Sequence, residues 1–473
     1  MFEGIKNYFA EFKIMKTVSK DFWMVNAIQF FDGLAYFSII IVLSLYLNDN
    51  VGFSDMETGI WQGIFFMFIT AFMFTVGSIC DTLGVKKTYY IATALLIISR
   101  LGMGVAPQMM TGEPLKYVTM ALLIVMALGT ATMVTNTNAA LRHYTTPENR
   151  STGFNVYYLI MNIGAMIAGA FVFDGFRNMF GTVKGNLIIF DFSFAMAVMT
   201  FVCAWFITNK HAEEKAAEKA AEKAADPTPE KTPLQIFAEV WKESAFQKLV
   251  LFLILTLGVR LVFTHQTMVM PKYYLRTLYN DFELGLVNSL NPAIIVVGLI
   301  LLIPIINKFD TVKLLVFGMA ISALSILFLA VPNSWILAIP GVENMNQAYV
   351  YIIVAQIFVF AIGELIFSPR FVEYTASVAP KDKVASYMGL SALPMFIARP
   401  INGFVSGILI AGYSYEGIRA KIDTGNISYM DSPEWMWMIY FILAAISPIA
   451  IVALRNFLKS DNPDNDKPAD TAH

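Results

Sequence analysis

Five ionisable side chains fall near the middle of long apolar runs: Asp32, Arg100, Arg260, Glu364 and Arg399. A charge surrounded by hydrocarbon is costly, so each is expected to face a polar cavity or a partner. A carboxylate in such a cavity can carry a proton at neutral pH, because desolvation disfavours the charged form. Asp32 and Glu364, one in each half of the chain, are therefore the candidate proton-coupling groups. Reprotonation from alternate sides would tie proton entry to movement of a bound molecule. The competing reading is a static ion pair, for instance Glu364 with Arg399 or Arg260, that only fixes helix packing. Arginine stays protonated in proteins, so Arg260 and Arg399 are fixed positive charges suited to a carboxylate or phosphate. Arg100 either pairs with Asp32 or snorkels. Asp174, Asp191 and His265 lie nearer the ends of their runs and read as interfacial.

Uncharged polar residues within the same runs complete a candidate binding set: Gln29, Tyr36, Asn136, Tyr158, Asn162, Asn288, Asn291 and Gln356. Any one of them alone is more often an interhelical hydrogen bond than a ligand contact. No catalytic residue and no cofactor is expected. The four His are scattered, and Cys80 and Cys203 are too few for a zinc site or a disulfide framework. A Gly-rich phosphate loop ending in Lys-Ser or Lys-Thr is absent, so nothing supports ATP-driven chemistry.

The elements that must hold these groups are membrane helices. Of 473 residues, 57% are hydrophobic and only 14% charged, and the mean hydropathy is +0.60. Such values over a whole chain require many apolar segments of about 20 residues, each long enough to cross a bilayer. Six are predicted at 22–47, 57–80, 88–105, 117–139, 152–173 and 187–208, and six more at 246–270, 283–306, 312–331, 349–367, 384–411 and 435–454. The net charge of −2 gives no footprint for nucleic acid. The predicted organisation is an amphipathic segment at 1–21, a six-helix bundle at 22–210, a polar Ala-, Lys- and Glu-rich linker at 211–245, a second bundle at 246–456 and a tail at 457–473. Basic residues cluster in every second loop and at both ends, which places the termini and linker in the cytoplasm by the positive-inside rule. Arg177, Lys184, Lys272 and Arg276 are exceptions on the opposite side.

The loop after the second run carries Gly77, Asp81, Gly84, Lys86 and Lys87: a Gly, an Asp four later, a Gly three after that, then basic residues. With six plus six runs and a cytoplasmic middle loop, the chain resembles the major facilitator superfamily. The resemblance implies an all-α fold of two six-helix bundles, and a latch in which Asp81 and the basic side chains make charge-assisted contacts in one conformation. Thr82 and Val85 stand where the signature has further basic residues.

Three stretches narrow the resemblance to the proton-dependent oligopeptide transporters. They are Tyr157-Tyr158-Leu159-Ile160-Met161-Asn162-Ile163-Gly164-Ala165, Gly363-Glu364-Leu365-Ile366-Phe367-Ser368-Pro369, and Ala379-Pro380-Lys381 with Tyr387-Met388-Gly389-Leu390. That family's first helix carries Glu-x-x-Glu-Arg-Phe-x-Tyr-Tyr; aligned on it, this chain has Gln29, Asp32, Gly33, Leu34, Tyr36 and Phe37. One acid is neutralised, one shortened, and the Arg is gone. The family's fourth-helix Lys falls near Val134. The resemblance implies a divergent secondary active transporter of a small polar solute, working with protons by alternating access, as a monomer in the inner membrane of a bacterium. A nucleoside or sugar transporter of the same fold, or a receptor that no longer transports, are the alternatives.

Overall fold

The computed structural model describes residues 18–146, 149–208, 244–278, 283–306, 310–378 and 393–454. Nearly all of the expected amphipathic segment and linker, the tail, and the motifs at 379–381 and 387–390 lie outside them. Among the described residues every regular element is a helix. Hydrocarbon demands this, because a helix satisfies its backbone N–H and C=O groups within the segment.

The first half contains α1 (Lys20–Asp49), α2 (Asp55–Leu83), α3 (Val85–Met109) and α4 (Glu113–His143). Next, α5 (Arg150–Ile167) runs through a π-helical turn at Ala168–Phe173 into α6 (Asp174–Phe180), and α7 (Thr182–Trp205) follows. The second half begins with α8 (Ser244–Leu255) and α9 (Leu257–Met268), bent by 45°, then the short α10 (Met270–Thr277). It continues with α11 (Leu284–Ile306), α12 (Thr311–Ala330), α13 (Asn333–Leu337), α14 (Met345–Val378), α15 (Leu393–Tyr413), α16 (Ile418–Asp423) and α17 (Pro433–Ala453). Among the described residues ten helical stretches are long and apolar enough to cross a membrane, the bent α8–α9 pair makes an eleventh, and the apolar α11, with its shorter stretch at Leu284–Gly298, is consistent with the expected twelve. Large apolar side chains such as Phe171, Trp205, Ile408 and Ile449 point outward, which suits a surface solvated by lipid. The chain is an integral, multi-pass membrane protein.

Local chemistry sets the helix ends. Ser54 and Glu57 form a reciprocal capping box that starts α2: the Ser54 hydroxyl accepts from Glu57 N at 3.2 Å, and Glu57 Oε2 accepts from Ser54 N at 2.7 Å. Gly84, at φ 77°, separates α2 from α3 by one residue, a conformation that side chains with a Cβ resist.

The chain forms two compact units. The first joins Met1–Ala220 to His265–Val296 and Arg399–Ile427. Its axis is α1, buried along most of its length, with Tyr46 donating to Met103 O at 2.7 Å and its ring tilted at 52° against Phe190, centroids 4.4 Å apart. The second joins Ala221–Thr264, Val297–Ala398 and Ser428–His473. Its core contains Phe246, Leu249, Phe252, Leu315, Met319, Phe367, Phe371 and Ile451. There α12 and α14 cross closely, because Gly318 and Gly363 have no side chain: a Cβ on Gly363 would lie 2.4 Å from Ser322 Oγ.

Candidate functional site

The face of α1 bearing Gln29, Asp32 and Tyr36 repeats at helical spacing. Asp32 accepts from Arg100 Nη2 at 2.8 Å; Asp32 is 8% exposed and Arg100 only 1%. Arg100 therefore pairs rather than snorkels. Its Nη1 also reaches Ser193 O at 3.4 Å, while its Nε has no hydrogen-bond partner among the described residues. One turn along α1, the Tyr36 hydroxyl accepts from Arg399 Nη1 at 3.1 Å, and the guanidinium lies 5.3 Å over the Phe66 ring. Arg399 has no carboxylate partner among the described residues. It is a half-buried cation held by a hydroxyl and a ring.

The remaining candidates divide. Asn136 donates to Val85 O at 2.9 Å and Asn162 to Tyr158 O at 2.8 Å, so both amide nitrogens bond backbone. Asn291 donates to Gln266 Oε1 at 3.2 Å. Asn288 differs: both of its buried amide atoms lack a partner among the described residues. Gln356, in the second unit, is likewise fully buried with neither amide atom partnered. Such an amide is costly unless water or a ligand meets it. In that same unit Arg260 lies over Phe263, Phe367 and Phe371 at 5.3, 4.8 and 4.5 Å, a cation–π cage. Glu364 stands part-exposed on α14, next to the Gly363 crossing. Of the expected latch, Gly84 makes the tight turn and Lys86 Nζ donates to Trp205 O at 2.8 Å, a cation at the C-terminal end of α7. Lys87 is exposed and Gly77 has open space at its Cα, while the side chain of Asp81 lies outside the described ones.

A polar cluster of described residues lies outside the binding and coupling set expected from the sequence. It sits where α1 ends, opposite the Lys20 terminus, and closes that end of the first unit. Asp55 accepts from Lys272 Nζ at 2.9 Å and from Arg276 Nη1 and Nη2, each at 2.8 Å. Arg276 also donates to Ser414 O at 2.7 Å, and Arg419 donates to Thr277 O. Lys272 is almost wholly buried, and burial pulls its ammonium down to about 8 despite the opposing attraction of Asp55. Asp174, 8% exposed, accepts from Gly285 N at 2.9 Å and Leu286 N at 2.6 Å, which caps the first turn of α11. Arg177 donates to Asn186 at 2.5 Å, and Asn186 to Asn50 at 2.9 Å. A polar cavity of about 1340 Å³ lies among these groups.

Close helix crossings bring the charges together. Gly59 and Gly63 on α2 face Gly403 and Gly407 on α15; a Cβ on Gly59 would lie 2.4 Å from Gly407 Cα, and one on Gly403 2.4 Å from Gly63 N. Spacing of four on both helices makes this a paired small-x-x-x-small contact. Gly169, in the π-helical turn, meets Gly285 in the same way. The signals were present: two Gly-x-x-x-Gly pairs, and basic residues on the side where the charge bias does not expect them. The exceptional Arg177, Lys272 and Arg276 are those that hydrogen-bond within this cluster, to the buried Asn186 and the half-buried Asp55.

Several solved structures share this architecture. A peptide transporter POT in complex with sulfate is similar with 17% identity and a TM-score of 0.65, over 93% of this chain and 96% of that chain. A POT family transporter in complex with 5-aminolevulinic acid is similar with 14% identity and a TM-score of 0.69, over the same shares, 93% and 96%. Another, in complex with a thioalcohol-conjugated peptide, is 13% identical with a TM-score of 0.67, covering 93% and 96%. At these identities the likeness is one of fold. No curated protein is significantly similar in sequence. The model of the Major Facilitator Superfamily matches residues 25–399 and again 253–473. With its helical fold, its interior charges and this match, the chain belongs to the Major Facilitator Superfamily and is a secondary transporter of that kind rather than an enzyme.

Proposed function

We propose that the protein moves a small polar solute, peptide-like or organic-anion-like, across the membrane by proton-coupled symport and alternating access. The observation that carries this reading is Arg399: a guanidinium in the membrane interior, held by Tyr36 and Phe66 and without a carboxylate partner among the described residues. A permanent cation so placed favours a solute with a carboxylate or phosphate. The unpartnered amides of Asn288 and Gln356 add hydrogen-bonding capacity within their respective units. The solved structures of similar fold were determined with peptide-like, amino-acid-like and sulfate ligands, all bearing anionic oxygens, which agrees with this class. Glu364 is the proposed coupling carboxylate. Asp32, already paired with Arg100, would take part through that pair. In this reading both termini are cytoplasmic, the Asp55 cluster closes the outer face, and the chain works as a monomer in a bacterial inner membrane.

The test is uptake into proteoliposomes driven by an inward proton gradient, with pooled dipeptides, nucleosides, sugars and organic acids. Proton-driven uptake of an anionic solute, abolished in Glu364→Gln and shifted to a much higher KM in Arg399→Gln, is the expected result. Uptake confined to uncharged sugars or nucleosides would overturn the substrate class. Solute binding without any transport by the folded protein would overturn symport.

A further inference from the structure

Asp174 is a carboxylate whose two oxygens each accept one backbone N–H, from Gly285 and Leu286, at the first turn of a 23-residue helix. Among the described residues no cation stands within ion-pair distance of it: the neighbouring Arg177 donates to Asn186 instead. The other acids of this end are engaged differently. Asp55 is shared by Lys272 and Arg276, and Glu57 is held by Ser54 and Lys116. Asp49 and Glu416 line the cavity beside Arg177, Lys272, Arg276 and Arg419, and Glu283 precedes α11. Among the acids of this end Asp174 differs in joining the end of the fifth span to the eighth by accepting from two backbone N–H groups, and the Met166 carbonyl, which accepts from Ser289 Oγ at 2.9 Å, adds a second hydrogen-bonded link between the same spans.

That geometry is sensitive to one proton. An ionised carboxylate presents two acceptors to two N–H groups and sits favourably at the positive end of the helix dipole. A protonated one turns an acceptor oxygen into a hydroxyl whose hydrogen faces an N–H, and it loses the charge that the helix end favours. The Gly169–Gly285 crossing depends on the same approach, since it leaves no room for even a Cβ. We infer that Asp174 is a proton-responsive lock: ionised, it holds this end of the transporter closed, and protonated, it releases α11. This inference rests on the proton-coupled reading above and adds to it a coupling group distinct from Glu364 and Asp32.

The experiment uses the full chain in nanodiscs without solute, in a Cys80→Ser, Cys203→Ser background with spin labels at Met179→Cys and Thr424→Cys. Both positions are exposed and belong to the closing end. As the pH falls from 8 to 5, the label distance is expected to shift to longer values. Asp174→Asn, which keeps the shape but only one acceptor, should favour the long distance roughly tenfold already at pH 8, the scale of one charge-assisted hydrogen bond, and lose the pH response. Asp174→Glu should keep a pH response, which separates the lock from simple misfolding. An Asn variant that retains the full pH response, or a distance in the parent that ignores pH, would overturn the lock. Proton-driven uptake is measured in parallel. Uptake with a pH-independent distance leaves the transport reading standing without the lock, and a pH-dependent distance without proton-driven uptake does the reverse.

Discussion

Replacing Gly285 with Ala places a methyl group where the chain has none to spare. The added Cβ would lie 2.1 Å from the Gly169 carbonyl oxygen and 2.9 Å from its carbon. Both of these obstacles are backbone and cannot swing away, the Asp174 carboxyl carbon would lie only 3.0 Å from the methyl, and ordinary contact begins at 3.4 Å. The helices must part by 3.4 − 2.1, or 1.3 Å, at this crossing. If Asp174 stays with its own helix, its bonds of 2.9 and 2.6 Å lengthen to about 4.2 and 3.9 Å, beyond hydrogen-bonding distance. Overpacking costs about 1–3 kcal/mol, and each hydrogen bond to a charged group contributes about 1.5–3 kcal/mol. The closed end should therefore lose about 3 kcal/mol or more, a shift of roughly a hundredfold toward the open form. The Met179/Thr424 label pair reads this directly at pH 8. Gly175→Ala is the matched control, because it lies beside Asp174 with nothing within 4 Å of its would-be Cβ. A Gly285→Ala protein with the parent's distance distribution and normal uptake would refute the reasoning.

Further outcomes follow from the charged groups. Asp55→Asn leaves Lys272 and Arg276 close together and without their shared carboxylate; breaking a buried ion pair costs about 3–5 kcal/mol, so the closed form should become the minor species in the same distance measurement. Asp32→Asn strands Arg100, which is 1% exposed, and should lower Tm markedly, whereas Asp32→Leu with Arg100→Met should recover most of that loss in a thermal melt. Lys272 supplies an alkaline signature. Its ammonium is near 8 in the closed end and ordinarily 10.5, so between those values the open form holds an extra proton. Raising the pH through that window should favour closure, with no contribution below about 7 where Lys272 is charged in both forms, and Lys272→Met should abolish the alkaline rise.

Much of the molecule can be read from its residues. Membrane helices follow from composition, since any apolar run of about 20 residues must satisfy its own backbone in lipid. The turn at Gly84 and the box at Ser54 and Glu57 are equally local. Asp32, Arg100 and Arg399 stand out as charges in apolar sequence, and the fold supplies a partner for each: Arg100 for Asp32 and the Tyr36 hydroxyl for Arg399. Asn136 and Asn162 look the same in sequence as Asn288. Whether an amide finds a backbone carbonyl or is left without a partner depends on its orientation about the helix axis and on the neighbouring helix.

The sequence by itself determined that the chain spans a membrane, how many times, and which charges must be shielded there, because these depend on local length and the cost of desolvation. Only the tertiary structure decided that Asp55 meets Lys272 and Arg276 across 217 and 221 residues, that Asp174 caps a helix 111 residues away, and that two pairs of glycines interlock. Those contacts depend on which helices approach within a side chain's length. That is fixed by packing summed over whole helices, and no local spacing encodes it.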